Sequence, residues 1–109
     1  MQIEYETKAV EKLLIDINKL YKVMGIELQK KLKATLNRLE AAENFNEFLA
    51  LGLGKPHSLR GGLKGYYGII LNGNARLVVK PEGDFLDSNI FVVKGVCDYH
   101  GEKIEWIIP

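Results

Sequence analysis

Residues 66–80 read YYGIILNGNARLVVK, and this stretch decides the fold. Two β-rich runs, Tyr66 to Leu71 and Ala75 to Lys80, flank Asn72-Gly73, the dipeptide favoured in two-residue hairpin turns. An antiparallel hairpin is therefore expected at the centre of a sheet. Downstream, Asn89 to His100 is a longer β-run, and Ile104, Trp106 and Ile108 alternate in a final short strand. Upstream the period changes. Ile3 and Tyr5 alternate as in a strand, after which Val10, Leu13, Leu14, Ile17, Leu20, Tyr21 and Met24 follow helical spacing behind Thr7 as N-cap. Gly25 interrupts that pattern, and Leu28, Leu32, Leu36 and Leu39 mark a second stripe. Asn44 with Glu47 opens one more helical turn that buries Phe45, Phe48 and Leu49. The expected class is α+β, with an N-terminal helical hairpin packed on a small antiparallel sheet in a single domain over residues 1–109.

The 109 residues are 47% hydrophobic and 27% charged, which suits one small globular core. No apolar run reaches the length of a membrane span, and the first residues lack the apolar stretch of a signal peptide, so a cytoplasmic protein without a membrane partner is expected. Cys97 is the sole cysteine and no Cys/His spacing suits zinc, so neither a structural metal nor another cofactor is expected. Net charge is only +1, yet from Phe48 to Pro81 there is no Asp or Glu at all. That segment carries Lys55, Arg60, Lys64, Arg76 and Lys80 together with His57, while all 14 acidic residues lie outside it. A cationic zone without neutralising carboxylates is the footprint of a polyanion site. Its glycine-rich part, Gly52 to Gly65, permits close backbone approach to a ligand.

Strand alternation places Asp98 and His100 on one face and Tyr99 on the other. Taken singly, that pair fits a solvated strand end and His57 a surface histidine. Together with the cations they form the set that metal-free RNA cleavage needs: a base for the 2′-hydroxyl, an acid for the departing 5′-oxygen, and cations for the crowded phosphate. Histidine suits either proton-transfer role, so His57 and His100 would divide them, with Asp98 as base or orienting group. Arg60 and Arg76 would hold phosphate, Lys64 would be a secondary contact, and Tyr99 would position or stack on a nucleotide. Tyr66, Tyr67 and Trp106 read as core or sheet-surface packing, and Cys97 as a small buried residue.

The order and spacing of Leu59-Arg60-Gly61, Leu63-Lys64-Gly65-Tyr66-Tyr67, Asn74-Ala75-Arg76-Leu77 and Asp98-Tyr99-His100 resemble the HigB branch of the RelE/ParE toxin superfamily over nearly the whole chain. The resemblance implies a toxin of a type II toxin–antitoxin system: a ribosome-dependent messenger-RNA endonuclease held inactive by a cognate antitoxin. The implied partners are a helix-turn-helix antitoxin of HigA type, in a possible heterotetramer, together with the ribosome and mRNA. It also implies site roles for His57, Arg60, Arg76, Asp98, Tyr99 and His100. Two features depart from the pattern. Arg60 stands where the loop usually has lysine, which keeps charge and allows bidentate phosphate contact but makes proton donation harder. The tail Gly101 to Pro109 extends beyond the point where many relatives stop, either as an edge strand or as partial cover for the cleft. Two other readings remain at this level: a ParE-like toxin that binds DNA gyrase without catalysis, and a degenerate member that binds only antitoxin.

Overall fold

The computed structural model describes residues 1–101 and 103–108, and for residue 17 the backbone alone. In chain order the elements are β1 (Gln2–Tyr5), α1 (Lys8–Ile15), α2 (Ile17–Ala41), α3 (Phe45–Leu51), β2 (His57–Ser58), β3 (Tyr67–Asn72), β4 (Ala75–Pro81), β5 (Ile90–His100) and β6 (Lys103–Ile108). The strands form one sheet in the order β1-β5-β4-β3-β2, with β6 also paired to β5. As expected the class is α+β. The strands from β2 onward are antiparallel, but β1 runs parallel to β5, with Gln2 opposite Ile90 and Tyr5 opposite Val93. The sheet is therefore mixed.

The helix starts follow local side-chain chemistry. Thr7 Oγ1 accepts from Val10 N at 3.2 Å, and Asn44 Oδ1 accepts from Glu47 N at 2.8 Å, each satisfying an otherwise orphaned first-turn amide. The first apolar stripe is broken once more than its spacing shows. Asp16 leaves the helical region (φ −96°, ψ 99°) and its Oδ1 caps Lys19 N at 3.2 Å, dividing α1 from α2. Gly25 (φ 77°, ψ 168°) interrupts α2 where the sequence places the break. Tyr21 departs from the expected stripe and is exposed, whereas Leu20, Leu32 and Leu39 are fully buried. The side chain at position 17 lies outside the described residues.

Helical Val10, Leu32, Phe45 and Phe48 meet Leu77, Phe91 and Val93 of the sheet in the core. Burial of each phenylalanine contributes roughly 2–3 kcal/mol. Tyr67 adds a tilted ring contact with Phe45, centroids 5.2 Å apart. No described helix is long and apolar enough to cross a membrane.

The hairpin differs by one position from its expected turn. Asn72 pairs with Ala75, so the turn residues are Gly73 and Asn74, and Leu71 is an extra residue on β3. Gly73 supplies the positive φ (51°) that such a turn requires at its first central position. Further register shifts leave Lys94 extra on β5 and Ile107 extra on β6. These bulges decide which side chains share a face.

Candidate active site

The helices cover one face of the sheet. On the opposite, outer face, cross-strand pairs set Ile70, Arg76, Cys97 and Trp106 in one row across four strands. A neighbouring row holds His57, Gly68, Val78 and Gly95. Leu59 packs against Gly68, where its Cδ2 would stand 3.4 Å from an added Cβ. This contact lays the cationic loop against the outer face. Leu59 N donates to Tyr66 O (2.9 Å) and Leu63 N to Arg60 O (3.2 Å), closing the loop through a 3-10 turn at Gly61–Leu63. His57, Arg60 and Lys64 are all exposed on it.

At the hairpin end, the Arg76 guanidinium donates through Nη1 to Gly73 O (2.7 Å) and Ala75 O (3.2 Å), leaving further donors for an anion. Beside it Tyr99 N donates to Asn74 O at 2.8 Å. Asp98 and His100 lie on one face of β5, as alternation requires, with His100 Nδ1 2.6 Å from Asp98 Oδ1 and both side chains about half exposed (42% and 48%). Asp98 faces Ala75, the first residue of β4, so His100 projects beyond the end of that strand. Tyr99 points to the other face, because β5 stays regular through the His100–Lys103 pair.

The structure thus sets Arg76, Asp98, Tyr99 and His100 at the hairpin end, Arg76 and Tyr99 on the outer face with Cys97, and Asp98 and His100 on the opposite one. It holds His57 roughly 12 Å from Arg76 between Cα atoms, from strand spacing and rise, within reach of a shared polyanion. It does not bring the two histidines together. Three strand spacings and five residues separate them by roughly 20 Å, and their side chains leave opposite faces. A division of acid and base between His57 and His100 on one phosphate does not fit this register; the sheet order that sets it is not contained in local spacing.

The tail forms an edge strand. β6 pairs with β5 on the side away from β4, placing Lys103 opposite His100 and Glu105 opposite Asp98. Residues 102 and 109 of the tail lie outside the described residues. Of the aromatics read as core or sheet-surface packing, Tyr66 and Trp106 stand on the outer face. Tyr66 donates to Glu6 Oε1, and the Lys94 ammonium, 2.8 Å from Glu6 Oε2, lies 5.4 Å from the Tyr66 ring centroid and 5.6 Å from that of Trp106. Lys80 lies 5.2 Å from the same Tyr66 centroid. Burial, followed by the hydrogen bond to Glu6, pushes the Tyr66 phenol up to about 12. For Glu6, burial acts upward, but hydrogen bonds from Lys94 and Tyr66 outweigh it and hold the carboxyl below its usual range. In the sequence these are unrelated residues, because Glu6 follows β1, Tyr66 precedes β3, and β4, β5 and β6 supply Lys80, Lys94 and Trp106.

Cys97 is buried as expected, and burial pushes its thiol up to about 11 despite the opposing charge of Arg76. Among the described residues no three His, Cys, Asp or Glu side chains gather as metal ligands.

No family model matches the chain, and no curated protein matches it. Solved structures do. The chain superposes on YoeB in the YoeB–YefM complex from Staphylococcus aureus with a TM-score of 0.59 and 24% identity, covering 93% of this chain and 98% of the other. The YoeB dimer from the same organism gives a TM-score of 0.57 and 25% identity over the same shares. A YoeB/ParE toxin from Agrobacterium tumefaciens gives 0.61 and 17%, covering 93% and 100%. The chain has the fold of YoeB/ParE toxins of the RelE/ParE superfamily. None of these three neighbours carries the HigB name suggested by the sequence fragments.

Proposed function

We propose that the protein is the toxin of a type II toxin–antitoxin system and acts as a ribosome-dependent messenger-RNA endoribonuclease of HigB-like type. The observation that carries the catalytic part is the Asp98–His100 pair at the open end of the sheet, one strand from Arg76, whose side chain leaves the other face at the same end. With Nδ1 donating to the Asp98 carboxylate, the imidazole presents Nε2 as its proton-transfer atom. In cleavage the 2′-oxygen attacks phosphorus, the bond to the 5′-oxygen breaks, and His100 Nε2 serves one of the two proton transfers. Arg76 and Tyr99, which share the outer face, hold the adjoining backbone and nucleotide across the rim of the sheet. His57, Arg60 and Lys64 hold the flanking RNA from the loop rather than entering the proton relay.

A cognate helix-turn-helix antitoxin, HigA-like by the sequence resemblance, is the partner; the heterotetrameric YoeB–YefM toxin–antitoxin complex from Staphylococcus aureus, 25% identical, supports an assembly of that stoichiometry. The cytoplasm, where ribosomes are, is the site of action. The alternative, a non-catalytic ParE-like toxin that binds gyrase, would use the same fold and would not need His57 or His100.

The test is induction of the intact protein followed by mapping of messenger ends on purified ribosomes by primer extension. Site-specific cleavage that disappears in His100→Ala supports the proposal. Growth arrest without cleavage transfers the reading to gyrase, and absence of both leaves only antitoxin binding.

A further inference from the structure

Trp106 lies on the outer face in the same row as Arg76, two strands away or roughly 10 Å between Cα atoms. The residue between them, Cys97, is small and buried, so no bulky side chain rises in the gap. Trp106 is 40% exposed, a costly arrangement for the largest aromatic side chain unless something covers it. Beside it a cavity of about 250 Å³ is lined by Glu6, Thr7, Lys94 and Trp106. Lys94 is the bulged residue of β5, and its ammonium is pinned by Glu6 between the Tyr66 and Trp106 rings. A fixed cation next to an exposed indole, one row from a guanidinium on a flat face, has the composition of a single-stranded nucleic-acid platform: rings for bases, cations for the backbone.

We propose that Trp106 and Lys94 form a nucleobase-stacking subsite for single-stranded RNA on the outer face, continuing the track that begins at Arg76. This rests on the ribonuclease reading and adds to it a place for a base away from the cleaved bond. The base stacks on the indole within the cavity, Lys94 meets the adjoining phosphate, and Glu6 is an acceptor for an exocyclic amine. The subsite is built by the tail, since Trp106 belongs to β6.

Trp106 is the sole tryptophan of the chain, so its emission reports on the subsite directly. The full chain carrying His100→Ala is titrated with a short unstructured oligoribonucleotide, following tryptophan emission and, in parallel, anisotropy of the labelled RNA. Saturable quenching with the same midpoint as the anisotropy change is expected, and inorganic polyphosphate, which has charge but no bases, leaves emission unchanged. Trp106→Ala raises the anisotropy midpoint roughly tenfold. Trp106→Tyr, whose fold is checked by circular dichroism, restores most of the affinity. RNA that binds by anisotropy without moving the emission, with Trp106→Tyr and Trp106→Ala equal to the parent, overturns the subsite while leaving the ribonuclease reading intact. No change in either signal also overturns it, and ribosomal cleavage then decides the ribonuclease reading separately. Quenching with polyphosphate equal to that with RNA overturns the stacking role, as does quenching by a purified antitoxin peptide but not by RNA.

Discussion

Asp98 Oδ1 stands 2.6 Å from His100 Nδ1 on one face of β5, and the residue between them, Tyr99, faces the other way. This relationship fixes the imidazole by a carboxylate two residues away on the same strand. Asp98→Asn and His100→Ala should each lower ribosomal messenger cleavage by about 10²–10⁴-fold. Because both side chains are half exposed, neither substitution should shift stability by more than about 0.5 kcal/mol. Primer extension and a urea melt read the two effects separately. Wild-type cleavage by both variants would reduce the pair to a strand-end contact.

Arg76 has a structural share in the hairpin through Gly73 O and Ala75 O, and Arg76→Ala should cost about 0.5–1.5 kcal/mol for it. Its share in binding is read from salt. The slope of log affinity for RNA against log salt should fall by about 1 in Arg76→Ala, and by a similar step in Arg60→Ala. An unchanged slope in both would place the polyanion elsewhere.

The glycine-rich segment has one position that tolerates no side chain. At Gly54 (φ 68°) an added Cβ would stand 2.4 Å from Ile69 Cγ2 and 3.0 Å from Ile70 O, while Gly54 O accepts from Ile70 N at 2.7 Å. Gly54→Ala is expected to destabilise by about 2 kcal/mol or more. Gly62→Ala, in open space at ordinary φ, is expected to leave the denaturation midpoint nearly unchanged. Equal midpoints for the two variants would contradict the close approach of loop and strand.

Glu6 and Tyr66 give opposite limbs to the pH dependence of stability. The Glu6 carboxyl is held below its unfolded value, so its contribution is present above that value and is lost as pH falls through the lower, folded one. The Tyr66 phenol is raised, so its contribution is complete below the unfolded pKa of 10.0 and is lost as pH climbs to about 12. Urea midpoints across pH should show both limbs, and Glu6→Gln should flatten the acid one and weaken the alkaline one. Phenolate absorbance at high pH should show Tyr66 ionising late; early ionisation would exclude the Glu6 bond.

What the sequence made legible was local. The Thr7 and Asn44 caps and the Gly25 break follow from side-chain chemistry within a turn, and the Asp98–His100 pair follows from strand alternation. The hairpin was legible to within one residue, since the Leu71 bulge moves the pairing in a way dipeptide preference does not encode. Strand order was not legible, and it separates His57 from His100. Nor was the exposure of Trp106, which depends on the extra residue Ile107 in β6 and on a cation delivered by another bulge.

β5 is bonded along one edge first by β1 and then by β6, with Gln2 opposite Ile90 and Ile108 opposite Val96. β1 and β6, far apart in sequence, thus complete the same strand, and that strand carries Asp98, Tyr99 and His100. A growing polypeptide has no β5 for β1 to join until most of the sequence has been made, and closing so long a loop is slow relative to local helix formation. The strand that carries Asp98, Tyr99 and His100 accordingly gains its neighbours along this edge only after the helices have had time to form, so local helix precedes assembly of that part of the sheet.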